Sequence, residues 1–374
     1  MAGLYLHIPF CERKCIYCDF YSIESFRDYD RFLSALHQEI DLRARLLPDT
    51  RRFHSIFFGG GTPSLLSAAQ LGGILDALQS RFRFDPTIEI TVECNPGTVD
   101  LEKLRGYRSA GVNRLSFGVQ SFHADDLRML SRIHTPEEAE RAIDLARTAG
   151  IKNLNLDLMF SLPGQTLERW RHNLERARAL GTTHLSCYSL TVEQGTPLAR
   201  MVERGMVSMP PEERDATLFE MTMDTLADWG FVHYEVSNYA LPGFESRHNL
   251  TYWRHEDYLG FGPSAHSTMD GRRWWNLRSL DAYIERIEHH TLPEAGGEFL
   301  TSDTLRSEYV FLRLRSEGIS LSDFTRRFGT DFYSDNKLFI DRCRTDGMLS
   351  LSEDRLELTR RGMLLCDEIC AELA

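Results

Sequence analysis

Six short runs of β-branched and apolar residues recur along the first half of the chain, at 4–8 (LYLHI), 55–60 (SIFFGG), 88–93 (IEITVE), 114–119 (RLSFGV), 153–160 (NLNLDLMF) and 184–190 (HLSCYSL). Between them, residues 30–47, 68–82, 136–150 and 167–181 carry apolar side chains every three or four residues, with charged residues on the opposite face. The runs read as strands and the intervening stretches as helices. Strands that alternate with helices pair in parallel through crossover connections. Nearly every run leads into a polar or glycine-containing segment: HIPFC, GGGTPS, ECNPGT, GVQSF, FSLPGQT and YSLTVEQGTP. Loops after the C-terminal ends of parallel strands share one face, and that face carries the site. Six units without a clear seventh or eighth predict an α/β fold, a partial (β/α)6 TIM-like barrel; a flat doubly wound sheet is the alternative.

This pattern predicts a barrel over residues 1–232. Residues 233–299 are rich in glycine, aromatic residues and histidine and poor in periodicity, so extended segments closing one side of the barrel are expected there. Residues 300–374 read as helices followed by a short strand pair turning near EDR and a terminal helix, a mainly helical, winged-helix-like module.

Forty-three basic against fifty-five acidic residues give a net charge of -12, and no Lys/Arg run forms a phosphate-tracking stripe, so nucleic acid is not an expected partner. The start, MAGLYLHIPF, lacks the basic region of a signal peptide, and no window reaches the ~18 apolar residues of a membrane-spanning helix. A cytoplasmic location without a transmembrane segment is the expectation. In a reducing compartment the eight cysteines act as thiols or metal ligands rather than as a disulfide framework. Cys94, Cys187, Cys343, Cys366 and Cys370 are scattered and suit buried packing.

The remaining three, Cys11, Cys15 and Cys18, stand four and three residues apart in FCERKCIYCDF. Structural zinc asks for four ligands, usually in two separated pairs, and here no second pair follows; His7, on the first predicted strand, is the only nearby fourth donor. Three thiolates instead hold three irons of a cubane and leave the fourth open to a small chelating ligand. Elsewhere on the same face, Gly59, Gly60 and Gly61 end the second strand, where missing side chains let backbone N–H groups approach a polar ligand; a tight turn would use them equally. Glu93 ends the third strand, Gln120 the fourth, and Asp157 lies in the fifth. Buried carboxylates there need a cation or hydroxyl donors, supplied either by a ligand or by Arg114 or Arg132.

CxxxCxxC in the loop after the first strand of a partial barrel resembles the radical S-adenosylmethionine superfamily. The ordered set YLHIPFCERKCIYCDFYS, GGGTPS, ECNPGT, GVQSF, DLMFSLPGQT and HNLTYW is similar, over essentially the whole chain, to the branch that contains oxygen-independent coproporphyrinogen III oxidase and its heme-chaperone relatives. The resemblance implies a [4Fe-4S] cluster on Cys11, Cys15 and Cys18. It also implies S-adenosylmethionine contacts from Tyr5, Tyr17, Gly60, Gly61, Thr62, Glu93, Gln120, Arg132 and Asp157. Tyr5 and Tyr17 could equally wall a cluster from water.

The oxidases carry a further cysteine two residues after the third, where this chain has Phe20, which supplies no thiolate. The HNxxYW pattern, here HNLTYW at 248–253, belongs to the chaperones. It implies heme as cofactor or cargo, with His248 as a contact, Tyr252 and Trp253 as flat surface, and a heme-acceptor protein as partner. The alternative is an enzyme of radical chemistry on a porphyrin or porphyrinogen; no catalytic residue is assigned.

Overall fold

The computed structural model describes residues 2–48 and 50–374. Its first half is a regular alternation: β1 (Ala2–Ile8), α1 (Tyr29–Ala44), β2 (Arg52–Gly60), α2 (Ala68–Arg81), β3 (Arg83–Cys94), α3 (Leu101–Ser109), β4 (Arg114–Gln120), α4 (Ala124–Met129), α5 (Pro136–Thr148), β5 (Asn153–Phe160), α6 (Leu167–Ala179) and β6 (His184–Ser189). Strands β1 to β6 pair in parallel in chain order. The expected six-unit partial barrel is present.

The helices start where the sequence supplies caps. Ser67 with Gln70, and Thr135 with Glu138, form reciprocal capping boxes at the heads of α2 and α5, and Thr166 caps α6. Helix α3 is short and interrupted by Gly106, which hides it from periodicity. A Cβ at Gly106 would stand 2.4 Å from the Cβ of Ala68, so glycine is what lets α3 lie against α2.

Each strand divides its residues between two faces. In β1, Leu4, Leu6 and Ile8 are fully buried against the helical layer, where Phe32, Leu36 and Ile40 of α1 meet them. Burial of each such side chain contributes about 1.5–3 kcal/mol. The other face looks into the barrel and is polar: Glu93, Ser116, Asn155, Asp157 and Ser186 come from four successive strands.

After α7 (Pro197–Glu203) and α8 (Glu212–Asp228), the chain departs from expectation. Residues 233–299 do not close one side; they lengthen the sheet at both edges. On the β6 edge, β7 (Val232–Glu235) and β8 (Asn238–Ala240) add antiparallel strands. The chain then passes through α9 (Arg247–Trp253) to the other edge, where β9 (Asp257–Phe261) lies parallel to β1, followed by antiparallel β10 (His266–Met269) and β11 (Arg272–Asn276). Helix α10 (Leu280–Glu288) packs on α1, and β12 (Glu294–Phe299) completes a 12-stranded sheet.

Residues beyond 300 form a second core around Tyr309, Phe324, Phe332, Ile340, Leu356 and Ile369. Helix α11 (Ser302–Leu314), β13 (Ile319–Ser320), α12 (Leu321–Phe328), α13 (Phe332–Asp335), α14 (Lys337–Thr345) and the hairpin β14 (Leu349–Ser352) and β15 (Arg355–Leu358) follow winged-helix order, with α15 (Arg360–Met363) and α16 (Cys366–Leu373) behind. Strand β13 makes the expected strand pair a three-stranded sheet. Val236 N–H donates to Arg315 O, and Arg254 pairs with Glu317, which ties this module to the barrel. No described helix is long and apolar enough to cross a membrane.

Candidate functional site

The loop after β1 carries Cys11, Cys15 and Cys18 over the C-terminal ends of the strands. Cys11 is buried and the other two are half-buried. Burial raises the Cys11 and Cys18 thiols above their ordinary range, and the neighbouring cysteines add to it. Among the described residues, no three metal-binding side chains converge on one point. A cubane does not ask for that, since each thiolate takes a different iron. His7 is not a donor in reserve: its Nε2 lies 2.8 Å from Tyr21 O and its Nδ1 3.1 Å from the Tyr5 hydroxyl. Cys94, Cys187, Cys343, Cys366 and Cys370 are all buried, as packing residues should be.

The glycine segment after β2 is sewn to the cysteine loop. Gly61 N–H donates to Ile8 O and Thr62 N–H to Phe10 O, both at 2.8 Å, and the Thr62 hydroxyl points at Cys11 Sγ at 3.5 Å. A Cβ at Gly61 would sit 2.6 Å from Phe10 O, so the two loops approach at a distance only glycine allows. Arg132 reaches the same loop from behind α4. Its guanidinium lies 3.4 Å from Cys15 Sγ and donates to Gly118 O at 2.6 Å.

Beneath the loops, Glu93 receives only the Gly60 N–H at 3.2 Å and forms no ion pair among the described residues. Burial pushes its carboxyl up to about 8, and the nearby Asp157 pushes in the same direction. Asp157 is also raised by burial, against hydrogen bonds from Ser186, Asn155 and Ser116. The Arg114 charge lowers both carboxyls from a distance, but neither it nor Arg132 forms an ion pair with them among the described residues. Gln120 ends β4 with φ at 68°, a left-handed conformation unusual for a side chain of this type, and its Oε1 is buried without a partner. Thr91 Oγ1, deeper in the barrel at the level of Arg114, is likewise unpartnered.

Gly60, Gly61, Thr62, Glu93 and Arg132 are thus tied to one another or to the cysteine loop, Tyr17 lies beside Cys15 and Arg132, Tyr5 and Asp157 lie near Glu93, and Gln120 ends the neighbouring strand. Ser116, Asn155 and Ser186 were missed by sequence reasoning. Their signal was present as polar residues at every second position, as in NLNLD, which marks a strand with a polar inward face.

His248 makes no contact with the cysteine loop among the described residues; of this set it meets Tyr5, on which its ring stacks. It is on a helix, not a loop, because Ser246 caps the segment by accepting from Asn249 N–H. Helix α9 covers the foot of the barrel, where Glu89 accepts the N–H groups of Arg247 and His248, each at 3.2 Å. The His248 ring is 1% exposed; Nδ1 lies 2.9 Å from Ser55 Oγ and Nε2 2.9 Å from the Tyr252 hydroxyl. Burial lowers its pKa to about 3.

Comparison with known proteins decides the family. The profile of the radical SAM superfamily matches residues 5–177, and that of the HemN C-terminal domain matches 300–365. The heme chaperone HemW of Bacillus subtilis (strain 168) is 38% identical over 375 residues, 99% of this chain and 98% of its own. HemW of Escherichia coli (strain K12) is 42% identical over 275 residues, 72% of this chain and 71% of its own. The chain belongs to the HemW family of radical SAM proteins. The structure of coproporphyrinogen III oxidase (HemN) from Escherichia coli, a radical SAM enzyme, superposes with a TM-score of 0.85 at 25% identity and covers 100% of this chain and 89% of that one.

Radical SAM membership brings a [4Fe-4S] cluster and S-adenosylmethionine, and the residues present in this HemW relative fit both. Three thiols lie in one loop, a glycine cradle lies against that loop, and a buried carboxyl without an ion pair and an unpartnered amide oxygen stand at the strand ends beside it. Phe20, at the position of the oxidases' extra cysteine, is 67% exposed.

Proposed function

We propose that this protein is a cytoplasmic heme chaperone that holds a [4Fe-4S] cluster and S-adenosylmethionine, binds heme and passes it to an acceptor protein. The observation that carries this reading is Phe20 within a chain that matches proteins named heme chaperones along nearly its full length. Cys11, Cys15 and Cys18 would hold the cluster and leave one iron open. The cluster, when bound, supplies an electron source and a chelating site for the methionine end of S-adenosylmethionine.

This chain's own residues do the rest. Gly60 and Gly61 present backbone to the ligand, Glu93 and Asp157 offer carboxylates to its cationic and hydroxyl groups, and Arg132 sets a positive charge beside Cys15. Tyr5 and Tyr17 wall the cavity from water. His248 is the residue the HNLTYW motif offers to heme; with both ring nitrogens bonded, it meets iron only if α9 moves.

A radical enzyme acting on a porphyrin is the second reading, favoured by the likeness to the HemN structure. Titration with hemin and assay of deoxyadenosine in the presence of coproporphyrinogen III separate the two. Heme binding without decarboxylation supports the chaperone; deoxyadenosine that scales with decarboxylated product overturns it.

A further inference from the structure

The sheet does not stop at the barrel. Strand β9 pairs with β1 so that Tyr258 stands beside Gly3 and Gly260 beside Tyr5. The inward face of the barrel thus runs on past β1 and emerges as an outer wall. Across that wall His266 pairs with Trp275, Thr268 with Arg273, and Trp275 in turn with Gly296.

Three features distinguish this wall from an ordinary sheet face. First, His266 and Trp275 stack, with ring centroids 5.9 Å apart and planes at 30°, and His266 is exposed. Second, glycines keep the surface low: a Cβ at Gly296 would lie 2.7 Å from the Trp275 ring, and one at Gly260 would lie 2.1 Å from His266 O. Third, the wall descends into a crevice of about 250 Å³ between β9, β11 and α11, where Tyr252, Tyr258, Phe311 and Leu312 are apolar lining, Glu308 pairs with His255 and Arg273, and Glu256 adds a second carboxylate. Tyr252 belongs to the HNLTYW motif, so the motif reaches this surface through its tyrosine while its histidine stays inside.

We propose that heme binds on this wall, with His266 as the axial ligand of its iron and Trp275 beside the macrocycle. The proposal rests on the heme-chaperone reading and gives it a site. Of the histidines in this quarter, His248 has both ring nitrogens bonded and His255 gives Nε2 to Glu308 at 2.9 Å. Among the described residues, His266 alone of the three has neither nitrogen bonded. Burial and Arg273 lower its pKa, which keeps the imidazole in the neutral form that binds iron. The cation for the propionates is Arg278, which follows Leu277, whose carbonyl accepts from Ser264 N–H two residues before His266. Its guanidinium forms no ion pair among the described residues and lies over the Tyr21 ring at 5.7 Å, which it would leave to meet a propionate. A crevice of this volume takes one edge of a porphyrin and leaves the rest accessible, which suits a carrier that must let its cargo go.

The test is titration of the full, anaerobically reconstituted chain with hemin, followed at the Soret band, for wild type, His266→Ala, His266→Cys, His255→Ala and His248→Ala. Wild type is expected to bind one heme with an imidazole-ligated spectrum. His266→Ala should weaken binding by about tenfold or more and lose that spectrum. His266→Cys should move the band as a thiolate replaces the imidazole, a change that a merely structural role would not produce. His255→Ala should keep the wild-type spectrum. Wild-type affinity and spectrum in His266→Ala, or loss of the spectrum in His248→Ala alone, would overturn the assignment to His266. Failure of wild type to bind heme at all would overturn the chaperone reading beneath it.

Discussion

Tyr5 stacks on His248 with ring centroids 6.3 Å apart and planes at 24°, so the ligand-bearing mouth of the barrel and the helix that covers its foot share one column of rings. Phe57 joins that column, 4.9 Å from His248. The histidine is therefore part of the barrel's interior. His248→Ala removes its packing and strands Ser55 Oγ and the Tyr252 hydroxyl, at a cost of about 2–4 kcal/mol. Urea unfolding should show the loss as a lower midpoint with an unchanged slope.

Glu93 should make stability depend on pH. Its native carboxyl titrates near 8 against an ordinary 4.5, so between those values the unfolded chain has released a proton that the native protein keeps. Stability from this group is present in full below about 4.5, falls as pH rises, and levels off above 8. Glu93→Gln should flatten that slope, measured by urea unfolding from pH 6 to 8.5. A ligand that needs the carboxylate reverses the trend, so S-adenosylmethionine should bind wild type more tightly as pH approaches 8, and Glu93→Gln should not show the gain.

Gly61→Ala should uncouple the two loops at the mouth. The added methyl would meet the carbonyl oxygens of Phe10 and Ile8 at 2.6 and 2.9 Å, both backbone atoms that cannot swing aside. The expected outcome is a loss of S-adenosylmethionine affinity of tenfold or more, by equilibrium dialysis, with far-UV circular dichroism retained. An alanine that leaves affinity intact would mean that the glycine segment is only a turn.

Phe20→Cys restores the extra cysteine of the oxidases on an exposed position, so stability should change by less than about 0.5 kcal/mol. Iron and sulfide per chain should also stay the same, because the three motif cysteines suffice for a cubane with one open iron.

The barrel was legible because buried parallel strands run apolar and their crossover helices keep a strict face, as NLNLDLMF and LERWRHNLERARALG both show. The cysteine loop was legible because its spacing is itself the chemistry. The two-edged extension was not. Strand β9 finds its partner β1 some 250 residues away in the chain, and β7, β8 and β10 are only three or four residues long, too short for a period to declare itself. The inward placement of His248 was illegible for a related reason: α9 has seven residues, and what buries it is Glu89 of β3, a contact no local pattern announces.

The most direct measurement of the central claim is a single anaerobic experiment on protein shown to contain cluster. It supplies S-adenosylmethionine, a reductant and coproporphyrinogen III, quantifies deoxyadenosine and decarboxylated product, and titrates a parallel sample with hemin. One heme bound per chain, with no decarboxylated product, is the predicted result. Decarboxylated product formed in step with deoxyadenosine would contradict the account and make the protein an oxidase despite Phe20.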